Sequence, residues 1–216
     1  MKRFAVILSG SGVFDGAEIH EAVFTLLAIA KHGAEYKIFA PNIEQYHVIN
    51  HLNGEVMDET RNVLVESARI ARGNISSLSD FDQENFDAII FPGGFGVAKS
   101  LCTFAFDSAN CTVDQLIETT IKSMYSANKP IGALCVSPAL IAKVLGNIDV
   151  TIGHDIGTAN EIEKMGAHHI NTNQTGIIVD KKNKIVSSPC YMLESNIVQI
   201  AEGADNVVKA ILDLLN

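Results

Sequence analysis

Cys135 is the residue of this sequence whose neighbours could make it a nucleophile. It stands in Pro130-Ile131-Gly132-Ala133-Leu134-Cys135-Val136-Ser137-Pro138-Ala139-Leu140, where a short apolar run ends and a helix begins two residues later. Ser137 is a natural N-cap there and Pro138 a natural first helical residue. On such a turn the positive end of the helix dipole favours thiolate over thiol, which makes the sulfur acidic and nucleophilic. The alternative is an inert core thiol, since free cysteines are among the most buried residues. Further chemistry lies in Asp15-Gly16-Ala17-Glu18-Ile19-His20-Glu21, which puts carboxylates and an imidazole into the first turn of a helix. Acidic residues are also favoured at that place for the dipole alone. Phe91-Pro92-Gly93-Gly94-Phe95-Gly96 ends another apolar run with glycines that let backbone N–H groups approach an oxyanion.

Motifs for a bound cofactor fail. Ser9-Gly10-Ser11-Gly12-Val13-Phe14-Asp15-Gly16 has the spacing G-x-G-x-x-x-G, and the second strand ends at Ala40-Pro41, where a dinucleotide fold wants an acidic residue for the ribose. There is no G-x-x-x-x-G-K-[ST], no HExxH and no Cys/His cluster, so no cofactor and no metal are expected. Cys102, Cys111, Cys135 and Cys190 show neither CxxC pairing nor framework spacing, which in a chain of 216 residues points to reduced thiols.

The elements that must position these residues alternate. Phe4 to Leu8, Tyr36 to Ala40, Ala88 to Phe91, Ile131 to Leu134 and Val150 to Ile152 read as strands. Ala17 to His32, Glu59 to Ala71, Val113 to Ala127, Pro138 to Leu145, Thr158 to Met165 and a stretch from Leu193 to Leu215, interrupted near Gly203, read as helices. Right-handed crossovers turn such a series into an α/β fold, a doubly wound, mostly parallel sheet with helices on both faces, whose binding sites open at the carboxyl ends of the strands. Ile177-Ile178-Val179 and Ile185-Val186-Ser187, joined by Asp180-Lys181-Lys182-Asn183-Lys184, read as a C-terminal hairpin appended to it. One domain spanning residues 1–216 is expected.

Composition narrows the partners. With 47% hydrophobic and 19% charged residues the chain is ordered, and a net charge of −9 lacks the basic footprint of a nucleic-acid binder and is repelled by an anionic membrane. Met1-Lys2-Arg3 followed by an apolar run mimics a signal peptide, but the run stops at Ser9-Gly10, so a cytoplasmic protein is expected.

Phe91-Pro92-Gly93-Gly94 after one strand, with Ala133-Leu134-Cys135-Val136-Ser137-Pro138-Ala139 after the next, resembles the ThiJ/PfpI superfamily, which shares a flavodoxin-like fold with the class I glutamine amidotransferases. Three longer strings, from Val6 to Ala22, from Glu59 to Gly73 and from Phe91 to Lys99, are similar to the ElbB family of glyoxalases associated with isoprenoid biosynthesis. The resemblance covers essentially the whole chain. It implies a flavodoxin-like sheet, a homodimer, no cofactor, and a nucleophilic role for Cys135. Gly93 and Gly94 in the Pro-Gly-Gly turn, with the N–H groups of Gly94 and Val136, would form the oxyanion site.

A helix-borne glutamate contacts the thiol in this superfamily. Counting back from Gly33 favours Glu21 and counting forward from the first strand favours Glu18, with Glu21 ranked ahead. Some members carry a histidine directly after the cysteine, where Val136 stands; others place it about a strand later, where His154 lies nineteen residues on, although a surface histidine is the alternative reading. His47, His51, His168 and His169 match no role. Pro189 and Cys190 would line the pocket. The implied activity is conversion of a small 2-oxoaldehyde, glyoxal or methylglyoxal, to glycolate or lactate through a cysteine hemithioacetal, chemistry that is also open to aldehyde adducts in deglycase fashion. A redox-sensing or chaperone-like regulator using the same cysteine is the reading from a different class. An amidotransferase or peptidase is disfavoured by Val136.

Overall fold

A computed structural model describes residues 1–216. The elements run β1 (Arg3–Ile7), α1 (Ile19–Lys31), β2 (Glu35–Ala40), α2 (Val63–Ile70), β3 (Ile75–Ser77), β4 (Ala88–Phe91), a π-helical turn (Val97–Leu101), α3 (Phe104–Asp107), α4 (Gln115–Ser126) and β5 (Ile131–Leu134). They continue with α5 (Ser137–Leu145), β6 (Asp149–Val150), α6 (Ile156–Lys164), β7 (His168–His169), β8 (Ile178–Asp180), β9 (Ile185–Ser188) and α7 (Ile197–Leu214). Seven strands form one sheet in the order β3-β2-β1-β4-β5-β9-β8, parallel throughout except for β8, which is antiparallel to β9.

The central strands are unbroken apolar runs because both of their faces are covered. Alternation along each strand splits the core in two. Phe4, Val6 and Leu8 face one side with Ile29 of α1 and Ile200, Val207 and Ile211 of α7. Ala5, Ile7, Ile89 and Phe91 face the other with Ile117 and Ile121 of α4 and Leu140 and Ile141 of α5. The chain leaves β1 toward β2 and β3, then returns to place β4 on the other side of β1. This reversal is the switch point where open α/β sheets bind ligands. The segments after β1, β4 and β5 therefore meet at one edge.

Several expected elements differ. The strand expected at Val150 to Ile152 does not enter the main sheet: β6 pairs only with β7 in a separate two-stranded ribbon. The place beside β5 is occupied by β9, which pairs with it in parallel register from Ile131↔Ile185 to Leu134↔Ser188. β3 extends the opposite edge and has too few apolar residues to announce itself. α2 starts at Val63 rather than Glu59 because the Asn62 side chain accepts the Val65 N–H at 3.1 Å and caps it there. α7 runs through Gly203 without interruption; a Cβ there would stand 3.1 Å from Ser188 Oγ, so the glycine serves close packing on β9. The hairpin forms as β8 and β9, with the Asp180 carboxylate accepting the Asn183 N–H across the turn at 3.0 Å. No helix is long and apolar enough to cross a membrane.

Gly132 shows how little room the sheet leaves. A Cβ on it would lie 2.8 Å from both Ile90 Cγ1 and Ile211 Cδ1, two buried side chains of the core. Gly132→Ala is expected to lower unfolding stability by about 1–3 kcal/mol through overpacking. Urea denaturation should show a reduced midpoint at unchanged slope; an unchanged midpoint would contradict the packing described.

Candidate active site

Leu134 closes β5 and the chain turns sharply at Cys135, whose φ of +59° lies in the left-handed region that a non-glycine residue enters only at a cost. The turn is held on both sides. Cys135 N–H donates to Ser188 O at 2.9 Å, and Ser137 Oγ donates to Pro92 O at 3.0 Å. Ser137 is thus not the N-cap expected of it. Val136 occupies the cap position without a side-chain bond, and the serine ties β5 to the Pro92-Gly93-Gly94 turn instead.

That turn must be glycine. A Cβ on Gly93 would lie 2.3 Å from Cys135 Cβ and 2.7 Å from Glu21 Oε2. Gly94 has a φ of +100°, and a Cβ on it would meet Gly16 O at 2.3 Å. The bare backbone lets the turn pass between thiol and carboxylate while its N–H groups serve both. Gly93 N–H donates to Glu21 Oε2 at 2.9 Å, and the N–H groups of Gly94 and Val136 face the Cys135 sulfur.

The two glutamates have different positions. Glu18 caps α1, its Oε2 accepting Glu21 N–H at 2.7 Å. Glu21, one turn in, is fully buried; it accepts Gly93 N–H and, at Oε1, Tyr191 N–H at 3.2 Å, and it takes the thiol of Cys135 as a further hydrogen-bond partner. Burial pushes the Glu21 carboxyl up to about 8, with the neighbouring Glu18 charge adding to the rise and the Tyr191 and Gly93 N–H groups opposing it. Burial also raises the Cys135 thiol well above its ordinary range, followed by the Glu21 and Cys190 charges, against the opposing Gly94 and Val136 N–H groups. The acidic thiol expected from the helix dipole is therefore corrected. Dipole effects amount to about 0.3–1 kcal/mol, or up to about 2 where partly buried, and desolvation of a buried anion exceeds that. Thiol and carboxyl titrate as a pair, sharing one negative charge at most.

Cys135 opens onto a cavity of about 460 Å³ with mostly apolar walls, among them Val13, Phe95, Phe104 and Met192. His154 is not part of it: it is exposed in the turn before α6 and makes no hydrogen bond to the site. Its spacing suited a strand continuing into the sheet, and that strand is diverted. Pro189 and Cys190 lie behind the wall rather than in it. Cys190 is fully buried with its sulfur 3.9 Å from Ser188 Oγ, and Tyr191 and Met192 face the cavity instead. Tyr191 was the missed residue of consequence, since its N–H holds Glu21 and its hydroxyl lies 2.9 Å from His20 Nδ1. Its adjacency to Pro189-Cys190 was the only signal. Asp15, His47 and His51 lie outside the cavity; Asp15 accepts Ile49 N–H at 2.6 Å and His51 Nε2 accepts Phe14 N–H at 3.2 Å, contacts that anchor the following loop. No group of three His, Cys, Asp or Glu side chains is placed to hold a metal ion.

No protein-family model matches the chain. It is 46% identical to the mitochondrial ES1 protein homolog of Rattus norvegicus, over 98% of this chain and 84% of that protein. It is also 46% identical to the human mitochondrial glutamine amidotransferase-like class 1 domain-containing protein 3, over 98% of this chain and 83% of that protein. Among solved structures, an isoprenoid biosynthesis protein with an amidotransferase-like domain from Ehrlichia chaffeensis superposes with a TM-score of 0.94 at 36% identity, each chain covered completely. Drosophila melanogaster DJ-1beta shares the fold, with a TM-score of 0.57 at 15% identity over 99% of this chain and 95% of that one. The cytoplasmic expectation is overturned by the relatives, since the rat and human proteins and the ES1 protein of Danio rerio are all named mitochondrial. An acidic α/β fold with reduced thiols carries no mark that separates these compartments.

Glu21 makes stability depend on pH with a definite sign. Its carboxyl binds protons more tightly folded than unfolded, so its contribution is fully present below about 4.5 and is lost as pH rises through about 8. Thermal melts from pH 5 to 9 should show the wild type losing stability relative to Glu21→Gln as pH rises, by up to about 1.4 kcal/mol per pH unit. Parallel curves would refute the buried-acid assignment.

Proposed function

Because this chain belongs to the ES1 family, built on the DJ-1/ThiJ/PfpI fold, we propose that it is a cofactor-independent glyoxalase of the ElbB type, converting glyoxal or methylglyoxal to glycolate or lactate through a hemithioacetal on Cys135. The observation that carries this reading is the buried hydrogen-bonded contact between Cys135 and Glu21 beneath a cavity, with the Gly94 and Val136 N–H groups aimed at the same point. A sulfur nucleophile, a carboxyl whose proton affinity suits neutral pH, and two fixed donors are the groups this isomerisation needs.

The steps follow from those positions. The Cys135 sulfur adds to the aldehyde carbon as its proton passes to ionised Glu21, and the new alkoxide, held by the Gly94 and Val136 N–H groups, takes that proton back from Glu21 to give the hemithioacetal. Glu21 then removes the hydrogen on that carbon to form an enediol and returns a proton to the adjacent carbon, leaving a 2-hydroxy thioester. Water cleaves the thioester, releasing the hydroxy acid and the thiol. Redox state is conserved, one carbon being oxidised and its neighbour reduced, so no external acceptor enters. Adducts of these aldehydes with amines or thiols would release free aldehyde into the same route. Glutamine hydrolysis, suggested by the human relative's name, is not adopted: that chemistry calls for a histidine beside the cysteine, and His154 lies outside the cavity while His20 is engaged by the Tyr191 hydroxyl.

Cys135→Ser should abolish lactate formation from methylglyoxal with the fold intact, since a hydroxyl offers no comparable nucleophile. Retained turnover would remove the nucleophile assignment. Glu21→Gln should lower kcat about 10²–10⁴-fold, the usual contribution of a general acid–base group. Glu18→Gln should mainly cost stability, on the order of 1 kcal/mol at the cap. For the wild type, kcat/KM should rise with pH toward about 8 as the pair loses its first proton, and a flat profile would argue against Glu21 as the base.

A further inference from the structure

Cys102 and Cys111, which the chemistry above does not use, lie against each other. Cys102 follows the π-helical turn and pairs with Val113 in an antiparallel bridge; Thr103 N–H donates to Thr112 O at 2.9 Å, closing the segment between them into a loop. Cys102 and Cys111 then stand as diagonal neighbours across this antiparallel bridge. Cys102 Sγ also donates to Val97 O at 3.3 Å. Both residues are buried, but Cys111 borders a surface recess of about 360 Å³ whose rim carries Glu118 and Lys143. Lys143 Nζ donates to Ala109 O at 2.8 Å, fixing a positive charge beside the loop. The loop supplies Phe104 and Ala105 to the wall of the Cys135 cavity.

We propose that Cys102 and Cys111 form a reversible intrachain disulfide, with a hydroperoxide as oxidant, that ties down the loop forming one wall of the Cys135 cavity. The Cys111 thiolate attacks the peroxide, breaking the O–O bond to give Cys111 sulfenic acid and releasing water or an alcohol. The Cys102 thiol then attacks that sulfur, forming the S–S bond and expelling water, so two electrons pass from the thiols to the peroxide. Cys111 is the attacking partner because it borders the recess beside the fixed Lys143 charge, which favours a thiolate, whereas Cys102 gives its one thiol proton to Val97 O. Cys135 is held protonated by burial and by Glu21, so the recess reacts before the cavity does. Diagonal neighbours stand about 7–8 Å apart, so closing the bond draws the two ends of the loop together to bring the Cα atoms within about 7 Å.

The test treats the full chain with limiting hydrogen peroxide, alkylates the remaining thiols, and maps peptides by mass spectrometry. The expected product is a Cys102–Cys111 cross-link, with Cys135 and Cys190 still alkylated and the cross-link removed by dithiothreitol. Cys102→Ser should instead leave Cys111 sulfenic acid, trapped by dimedone, and wild-type mapping alone decides the matter if that variant fails to fold. Oxidation of Cys135 with Cys102 and Cys111 both still alkylated, or a Cys135–Cys190 disulfide as the main product, would overturn the proposal. The readout needs no turnover, so its failure is distinguishable from failure of the glyoxalase reading.

Discussion

The molecule cannot carry a side chain at position 93, and much of its architecture follows from that. The nucleophile turn after β5 and the first turn of α1 approach so closely that only the bare Gly93 backbone fits between Cys135 and Glu21. The sheet order makes the approach possible: β1, β4 and β5 are adjacent and parallel, so the segments leaving them converge at one edge. Secondary ties then set the distance, with Glu18 N–H donating to Gly93 O at 2.9 Å and Ser137 Oγ to Pro92 O at 3.0 Å. These bonds join three sequence-distant loops, none of which could hold the geometry alone.

An acid is buried at that junction, and burial dominates its behaviour. At about 1.4 kcal/mol per pKa unit, a rise from 4.5 to about 8 represents several kcal/mol. The N-terminus of α1 pulls the other way by up to about 2 kcal/mol in favourable partly buried geometry, and loses. Two backbone donors satisfy the carboxyl, which keeps the site folded without forcing it to ionise. The strained φ at Cys135 persists for the same reason, being over-determined by its bond to β9 and by the start of α5.

Much of this was legible in the sequence where the cause is local. Unbroken apolar runs marked β1, β4 and β5, and the Leu134-Cys135-Val136-Ser137-Pro138 step marked a strand ending in a tight turn into a helix. What escaped has long-range causes. β9 takes the place beside β5, which diverts Val150 to Ile152 and leaves His154 exposed, and no local pattern announces such competition. Counting along the first helix left Glu18 and Glu21 unresolved because they lie one turn apart; the capping bond of Glu18 and the burial of Glu21 separate them. The state of the Cys135 thiol was misjudged because the helix dipole is visible in sequence and the degree of desolvation is not.

The four thiols are sorted by their surroundings rather than by their residue type. Cys190 is sealed behind the cavity wall, Cys135 is masked by burial and by Glu21, and Cys111 borders a recess beside a lysine. On the proposed chemistry the masking at Cys135 is an advantage. A free thiolate in an apolar cavity would be costly to maintain and open to any electrophile, whereas a neutral thiol–carboxyl pair is stable until a carbonyl arrives. The arriving oxygen accepts the Gly94 and Val136 N–H groups that the sulfur leaves, so the charge released by proton transfer has a place to go at the moment it forms. Selectivity then comes from the requirement that the electrophile carry an oxygen able to reach those two donors, and the apolar walls serve to keep water from doing so first.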